Sequence, residues 1–251
     1  MVYITGDCHA DFRRFSAKNF PEQKEMTSDD IVIVCGDFGI WEDSDSERWW
    51  LKWLNSKPFT TVFVDGNHEN FDRLYSGEFP EVDFHGGKAH RIRPNIYHLM
   101  RGHMFTFEGR KFWCFGGASS HDISDGILDA DNFETPEAFL AEIRRWYRLG
   151  RMFRINHVSW WKEELPSKEE MDFGIRTLEE NGYETDFVIS HCCPQDVASM
   201  LGFRESDVIT SYFSEVAHRL RFSKWHFGHY HREESVFGKF ILHYEKIERI
   251  L

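Results

Sequence analysis

Positive charge is in short supply: 30 Lys and Arg stand against 42 Asp and Glu, a formal net charge of −12 over 251 residues. Tracking a nucleic-acid backbone or an anionic membrane surface needs a basic stripe, so neither a nucleic-acid polymer nor a membrane is an expected partner. An anionic substrate would have to be drawn by bound cations, which invert the local field that carboxylates create. Met1 leads straight into Val2-Tyr3-Ile4 without a basic stretch and a long apolar segment. Neither a signal peptide nor a membrane span is therefore expected, and the expected location is cytoplasmic. The five cysteines are an odd number lying on or beside apolar runs, which implies buried thiols and no disulfide framework. Cys192 and Cys193 are adjacent and lack the spacer of structural zinc sites. No Pro/Gly/Ser-rich linker, solenoid period or low-complexity tract divides the chain, so residues 1–251 are expected to form a single domain.

With 41% hydrophobic and 16% aromatic residues, the chain can bury one large core. Val2 to Ile4, Ile31 to Cys35, Thr61 to Val64, Phe187 to Ile189 and Trp225 to Phe227 are short apolar runs that read as buried strands. Amphipathic stretches separate them; Phe12 and Phe15 share a face, as do Trp49, Trp50, Trp53 and Leu54, with Ser44 to Ser46 available as caps. Hairpins are expected around Glu108-Gly109-Arg110 and around Gly238-Lys239. The fold class is therefore α/β: two stacked mixed β-sheets flanked by helices on both outer faces. Residues from about 118 to 181 read as a helical and loop excursion, with one helix from Thr135-Pro136-Glu137 to Leu149 and another opening at a capping box, Ser167 to Glu170. The acidic stretch from Glu163-Glu164 to Glu170 reads as a solvated helix entrance.

One punctuation recurs. Gly6-Asp7-Cys8-His9, Gly36-Asp37, Gly66-Asn67-His68-Glu69, Ser190-His191 and Gly228-His229-Tyr230-His231 each follow one of the β-rich runs. Ligands in α/β sheets collect beyond the carboxyl ends of strands, and Asp, His and Asn are oxygen and nitrogen donors suited to divalent transition ions. Singly, a Gly-Asp is a turn and a histidine a core or surface residue; jointly and in this order the clusters read as a two-metal enzyme.

These five blocks resemble the signature of the calcineurin-like metallophosphoesterases, and the resemblance spans nearly the whole chain. It implies an αββα sandwich with a dinuclear site at strand C-terminal ends. Carried over residue by residue, Asp7, His9 and His231 would bind one ion, Asn67, His191 and His229 the other, and Asp37 would bridge both. Four histidines among these ligands favour Mn, Fe, Zn or Ni over Mg or Ca. The family's chemistry would be in-line attack on phosphorus by a metal-bridging hydroxide, with His68 protonating the departing oxygen.

Where phosphoprotein phosphatases of this superfamily carry an Asp-Arg pair after the second block, this chain has Phe38-Gly39-Ile40-Trp41-Glu42. The carboxylate partner of His68 is then unassigned, with Glu69, Glu42 and Asp43 as candidates. A phosphomonoester dianion profits most from a guanidinium clamp, so lack of the pair favours a phosphodiesterase acting on small diesters such as 2′,3′- or 3′,5′-cyclic nucleotides. A phosphomonoesterase, a dinucleoside polyphosphate hydrolase and a non-catalytic interaction module are the alternatives. His121 and Asp122 follow Gly116-Gly117 at a strand end and are candidate substrate contacts, as are Trp160 and Trp161, which could stack on a base. Arg73, Arg154 and Arg204 are phosphate-clamp candidates; His157, before the tryptophan pair, could approach the site. His85, His90, His98, His103, His218, His226 and His243 are read as structural.

Overall fold

The computed structural model describes residues 1–251. Its strands are β1 (Val2–Thr5), β2 (Ile31–Val34), β3 (Thr60–Phe63), β4 (Glu81–Phe84), β5 (Gly87–Arg93), β6 (Ile96–Leu99), β7 (His103–Phe107) and β8 (Arg110–Phe115). They continue with β9 (Gly126–Leu128), β10 (Phe153–Ile155), β11 (Phe187–Ser190), β12 (Lys224–Phe227), β13 (Glu234–Val236), β14 (Phe240–Leu242) and β15 (Glu248–Arg249). The α-helices are α1 (Asp45–Asn55), α2 (Phe71–Leu74), α3 (Pro136–Arg148), α4 (Lys168–Glu180), α5 (Gln195–Met200) and α6 (Val208–Arg219).

Two mixed sheets carry the fold, one in the order β15-β1-β2-β3-β6-β5-β4 and the other β13-β14-β12-β11-β8-β7. In each, four parallel strands form the centre (β1, β2, β3, β6 and β14, β12, β11, β8) and antiparallel strands close the edges. Strand pleating sends alternate residues to opposite faces, and three apolar clusters follow from it. Val2, Ile4, Ile31 and Ile33 meet Phe112, Cys114 and Ile189 between the sheets. Tyr3, Val32, Val34 and Phe63 face outward onto Phe12, Phe15, Leu51 and Leu54. Trp113, Phe115, Val188 and Trp225 face the other way, onto Leu178, Ile209 and Phe213. Central strands covered on both faces explain why the sequence shows unbroken apolar runs rather than alternation.

Both hairpins form as expected, pairing Phe107 with Arg110 and Val236 with Phe240. The meander β4–β6 has no counterpart in the strands expected: β4 lies at a sheet edge, half exposed, and its acidic residues disguise it. In α1 the buried residues are Glu47, Leu51 and Leu54, while Trp49 is 56% exposed and leaves the apolar face assigned to it. Ser44 caps this helix, Thr135 caps α3, and Ser167 with Glu170 forms the capping box of α4.

Between residues 118 and 181 the chain forms the short parallel pair β9–β10 and helix α3, none of whose residues is buried. Helix α4 returns to the sandwich and packs Leu178 into the second outer core. All five cysteines are buried and free. No helix is long and apolar enough to cross a membrane.

Candidate metal centre

The five clusters emerge from β1, β2, β3, β11 and β12, parallel central strands whose carboxyl ends meet at one edge of the two sheets. Glycine makes the meeting possible by close approach. A Cβ at Gly36 would fall 2.1 Å from the ring of His191, one at Gly66 2.0 Å from the Asp37 carboxylate, and one at Gly228 2.2 Å from that of Asp7. Each glycine thus yields its space to a side chain of another cluster. The chain also turns sharply here: His9 (φ 46°), Asp37 (φ 45°), His229 (φ 71°) and His231 (φ 49°) all adopt left-handed backbone, a costly conformation for non-glycine residues that collects at functional sites.

Donor atoms converge in two groups sharing one carboxylate. In the first, His9 Nε2 and His231 Nε2 lie 3.1 Å apart, and His231 Nε2 is 3.1 Å from Asp7 Oδ2. In the second, His191 Nε2 lies 3.4 Å from Asp37 Oδ2 and 3.3 Å from Asn67 Oδ1. Asp37 Oδ2 is also 3.8 Å from His9 Nε2, so it stands between the groups. Ligands about 2.0–2.1 Å from one cation are separated by about 2.9–3.4 Å for octahedral or tetrahedral geometry, and the shorter separations here fall in that range. His191 Nδ1 donates to the Cys35 carbonyl at 2.7 Å, which leaves Nε2 free as a ligand atom. His229 Nε2 is buried without a hydrogen-bond partner, as a ligand atom would be in the absence of its ion. These residues fit a pair of divalent cations.

Charge supports the same reading. Against the burial that would raise it, His191 holds the Asp37 carboxyl well below the usual carboxylate range. Asp37 in turn overcomes burial at His191 and pushes the imidazole up to about 10. The metal-free protein therefore keeps a proton where a cation would sit, and metal binding would displace it.

His68 follows Asn67, its backbone N–H donating to Asp37 Oδ1 at 2.9 Å and its carbonyl accepting from Trp41 Nε1 at 2.7 Å. None of the carboxylates expected to support its ring does so. Glu69 is fully buried and accepts the N–H groups of Phe38, Gly39 and Ile40, bracing the loop after β2. Asp43 pairs with Arg48, and Glu42 lines the cleft beside His68 without bonding to it. The ring faces Arg154 instead, with Nη1 3.2 Å from Nδ1 and Nη2 3.3 Å from Nε2. Arg154 is fixed by Asp122 Oδ1 at 2.8 Å and the Ser159 carbonyl at 3.1 Å. Burial, reinforced by Arg154 against the pull of Asp37, lowers His68 to about 4.

A guanidinium therefore does reach the site, from β10 rather than from the second cluster, which removes the ground on which a diester was favoured by sequence. Arg73 is tied to Glu47 and Glu78, and Arg204 is exposed. Arg154, His68, Trp41, Glu42, Val158, Ser159 and Trp161 line a cleft of about 150 Å³. Trp161 is otherwise buried, its Nε1 donating to Asp72, so it leaves little surface for a base to stack on. Trp160 is half-buried and outside the lining of this cleft, and His157 pairs with Asp72. His121 stacks on His229 with ring centroids 4.5 Å apart. His90 with His98, and His226 with His243, are buried pairs within the fold.

Two residues had no signal in the sequence. Glu164, expected in a solvated helix entrance, is buried and accepts from Ser120 N and Oγ, while Ser120 Oγ accepts from Asn67 Nδ2. Burial pushes this carboxyl up to about 7. Glu205, between α5 and α6, lies 3.4 Å from His229 Nε2 and 3.0 Å from His121 Nε2.

The sequence profile described as calcineurin-like phosphoesterase matches residues 1–233. Lariat debranching enzyme A of Xenopus laevis is 26% identical over 181 residues, 65% of this chain and 31% of that protein. Lariat debranching enzyme of Gallus gallus is 26% identical over 165 residues, 59% of this chain and 28% of that protein. The chain thus spans less than a third of the length of these relatives.

Proposed function

Because this chain belongs to the calcineurin-like phosphoesterase family, we propose that it is a dinuclear metal-dependent phosphodiesterase acting on small phosphodiesters. The observation that carries the reading is the position of Asp37 Oδ2 between His9 and His191, with His68 and Arg154 opening onto a cleft beside them. Asp7, His9, Asp37, Asn67, His191, His229 and His231 would hold two ions of the Mn, Fe, Zn or Ni type. When bound, such ions supply an activated water and neutralise charge developing on the phosphoryl oxygens.

The remaining work falls to side chains. Arg154, held by Asp122, binds a non-bridging phosphoryl oxygen through its planar fork. In the free protein burial, reinforced by the guanidinium beside it, keeps His68 neutral. An incoming phosphoester anion compensates that charge and raises the proton affinity of the imidazole. His68 thereby gains its proton with the substrate and passes it to the leaving oxygen. The leaving group lies between Trp41 and Trp161, with cyclic nucleotides as candidate substrates. His121, near the His229 group, contacts the rest of the substrate or the ions.

The debranching named in the relatives breaks a phosphodiester, which supports the diester reading. Arg154 favours the second, a phosphomonoesterase or dinucleoside polyphosphate hydrolase, because a dianion gains more from a guanidinium. Rates with Mn²⁺ on bis-para-nitrophenyl phosphate and on para-nitrophenyl phosphate decide between them. Faster diester turnover is expected, and faster monoester turnover would establish the second reading. A panel of cyclic nucleotides, linear dinucleotides and phosphomonoesters then fixes the substrate class.

A further inference from the structure

Glu205 reaches the edge of the metal centre from the loop between α5 and α6, and its side chain is 8% exposed. One of its oxygens, Oε2, accepts from the Tyr230 hydroxyl at 2.6 Å. Tyr230 in turn accepts from Cys193 Sγ at 3.6 Å, so the carboxylate is braced from behind. The other oxygen, Oε1, is buried and makes no well-aligned hydrogen bond. It points at two imidazole nitrogens, His121 Nε2 at 3.0 Å and His229 Nε2 at 3.4 Å. His229 Nε2 is likewise buried and unpartnered, its side chain 3% exposed.

Buried polar atoms left without partners are uncommon and call for a physical reason. Here two such atoms and a third, His121 Nε2, lie within 4.8 Å of one another, and the two separations from Oε1, 3.0 and 3.4 Å, fall in the range of about 2.9–3.4 Å that a cation imposes on ligands at about 2.0–2.1 Å. Two imidazoles and one carboxylate form a donor set for borderline divalent metals that leaves coordination positions open. A carboxylate whose second oxygen is held by a hydroxyl is the usual state of a metal-ligating acid.

We propose that Glu205 and His121 are metal ligands, binding through Oε1 and Nε2 the same divalent ion as His229. This deepens the dinuclear reading and rests on it: Glu205 and His121 join His229 in holding one of its two ions. The open mouth of the site then belongs to His121, whose side chain is 52% exposed. That ligand is the one an incoming substrate oxygen can replace.

Metal-stripped full-length protein titrated with Co²⁺ tests the assignment, with bound metal counted and visible spectra recorded. The wild type is expected to take up two equivalents. Glu205→Gln should weaken one of them by about a hundredfold or more, beyond the loss of an outer-sphere partner, and leave the other unchanged. His121→Cys should show a thiolate-to-Co²⁺ charge-transfer band that the wild type lacks. His121 is at the surface, so this variant keeps the fold and carries the test should Glu205→Gln not fold. Glu205→Gln binding both ions as the wild type does, or a Co²⁺-loaded His121→Cys protein without the band, overturns the proposal. A wild type taking up one equivalent that Glu205→Gln loses would instead refute the dinuclear reading and leave these two ligands standing.

Discussion

His68 combines two demands that pull against each other: a proton donor must be charged before it acts, yet burial and Arg154 keep this imidazole neutral in the free protein. Its replacement by alanine should leave bound metal unchanged and lower turnover by about a hundredfold or more. Metal loss in proportion to the rate would show that His68 serves the ions and not the leaving group. Arg154→Ala should raise KM and, by removing a neighbouring positive charge, move His68 upward; proton resonances of the imidazole followed through a pH titration read this directly. Gly66→Ala places a Cβ 2.0 Å from Asp37 Oδ1, so the shared carboxylate must shift. Bound metal should fall in that variant while far-ultraviolet dichroism stays that of the wild type.

Among the elements, α1 is tied to the loop after β2 by charge and to the outer core by Leu51 and Leu54. Glu47, 5% exposed, pairs with Arg73 at 2.7 Å and accepts the backbone N–H groups of Trp41 and Glu42. Glu47→Ala should therefore cost about 1.5–3 kcal/mol in urea unfolding, since it removes the carboxylate that accepts from the backbone N–H groups of Trp41 and Glu42 and leaves Arg73 with Glu78. Ser167→Ala, removing only the cap of α4, should cost about 1 kcal/mol; equal losses would contradict this ordering. The difference between these helices mirrors what the sequence could and could not disclose. Caps, hairpin turns and the glycine–ligand clusters are contiguous, so their chemistry is written locally, and Ser167, Gly238 and Gly66 are where spacing placed them. Glu205 and Glu164 come to the site from segments with no periodicity toward it, and only packing determines that Glu164 is buried while Glu163 is not. Arg154 stood among three candidate arginines, and nothing short of the β9–β10 pairing distinguishes it from Arg73. Strand β4 was hidden for the opposite reason, being an edge strand whose half-exposed residues carry no apolar run.

Across the whole molecule, the second sheet holds a buried, stacked histidine pair, His226 Nδ1 and His243 Nε2 at 2.8 Å. Burial lowers His226 well below its ordinary value and His243 to about 4. An unfolded chain binds protons at both positions below about pH 6.5, so protonation favours unfolding as pH falls toward the folded values. The stability these neutral rings permit is complete above about 6.5 and lost as pH drops toward 4. Thermal melting of the metal-free protein should decline across that window, and the His226→Leu/His243→Leu variant should decline less steeply; parallel curves would assign the acid sensitivity to other groups. Strand β15 closes the first sheet against β1, and the His243 carbonyl packs against Gly6 beside Asp7. The donors run from position 7 to position 231, so a ribosome making this chain leaves the centre incomplete until His231 has emerged. Loading of both ions therefore waits on the last of these donors, whatever the order in which the earlier ones emerge.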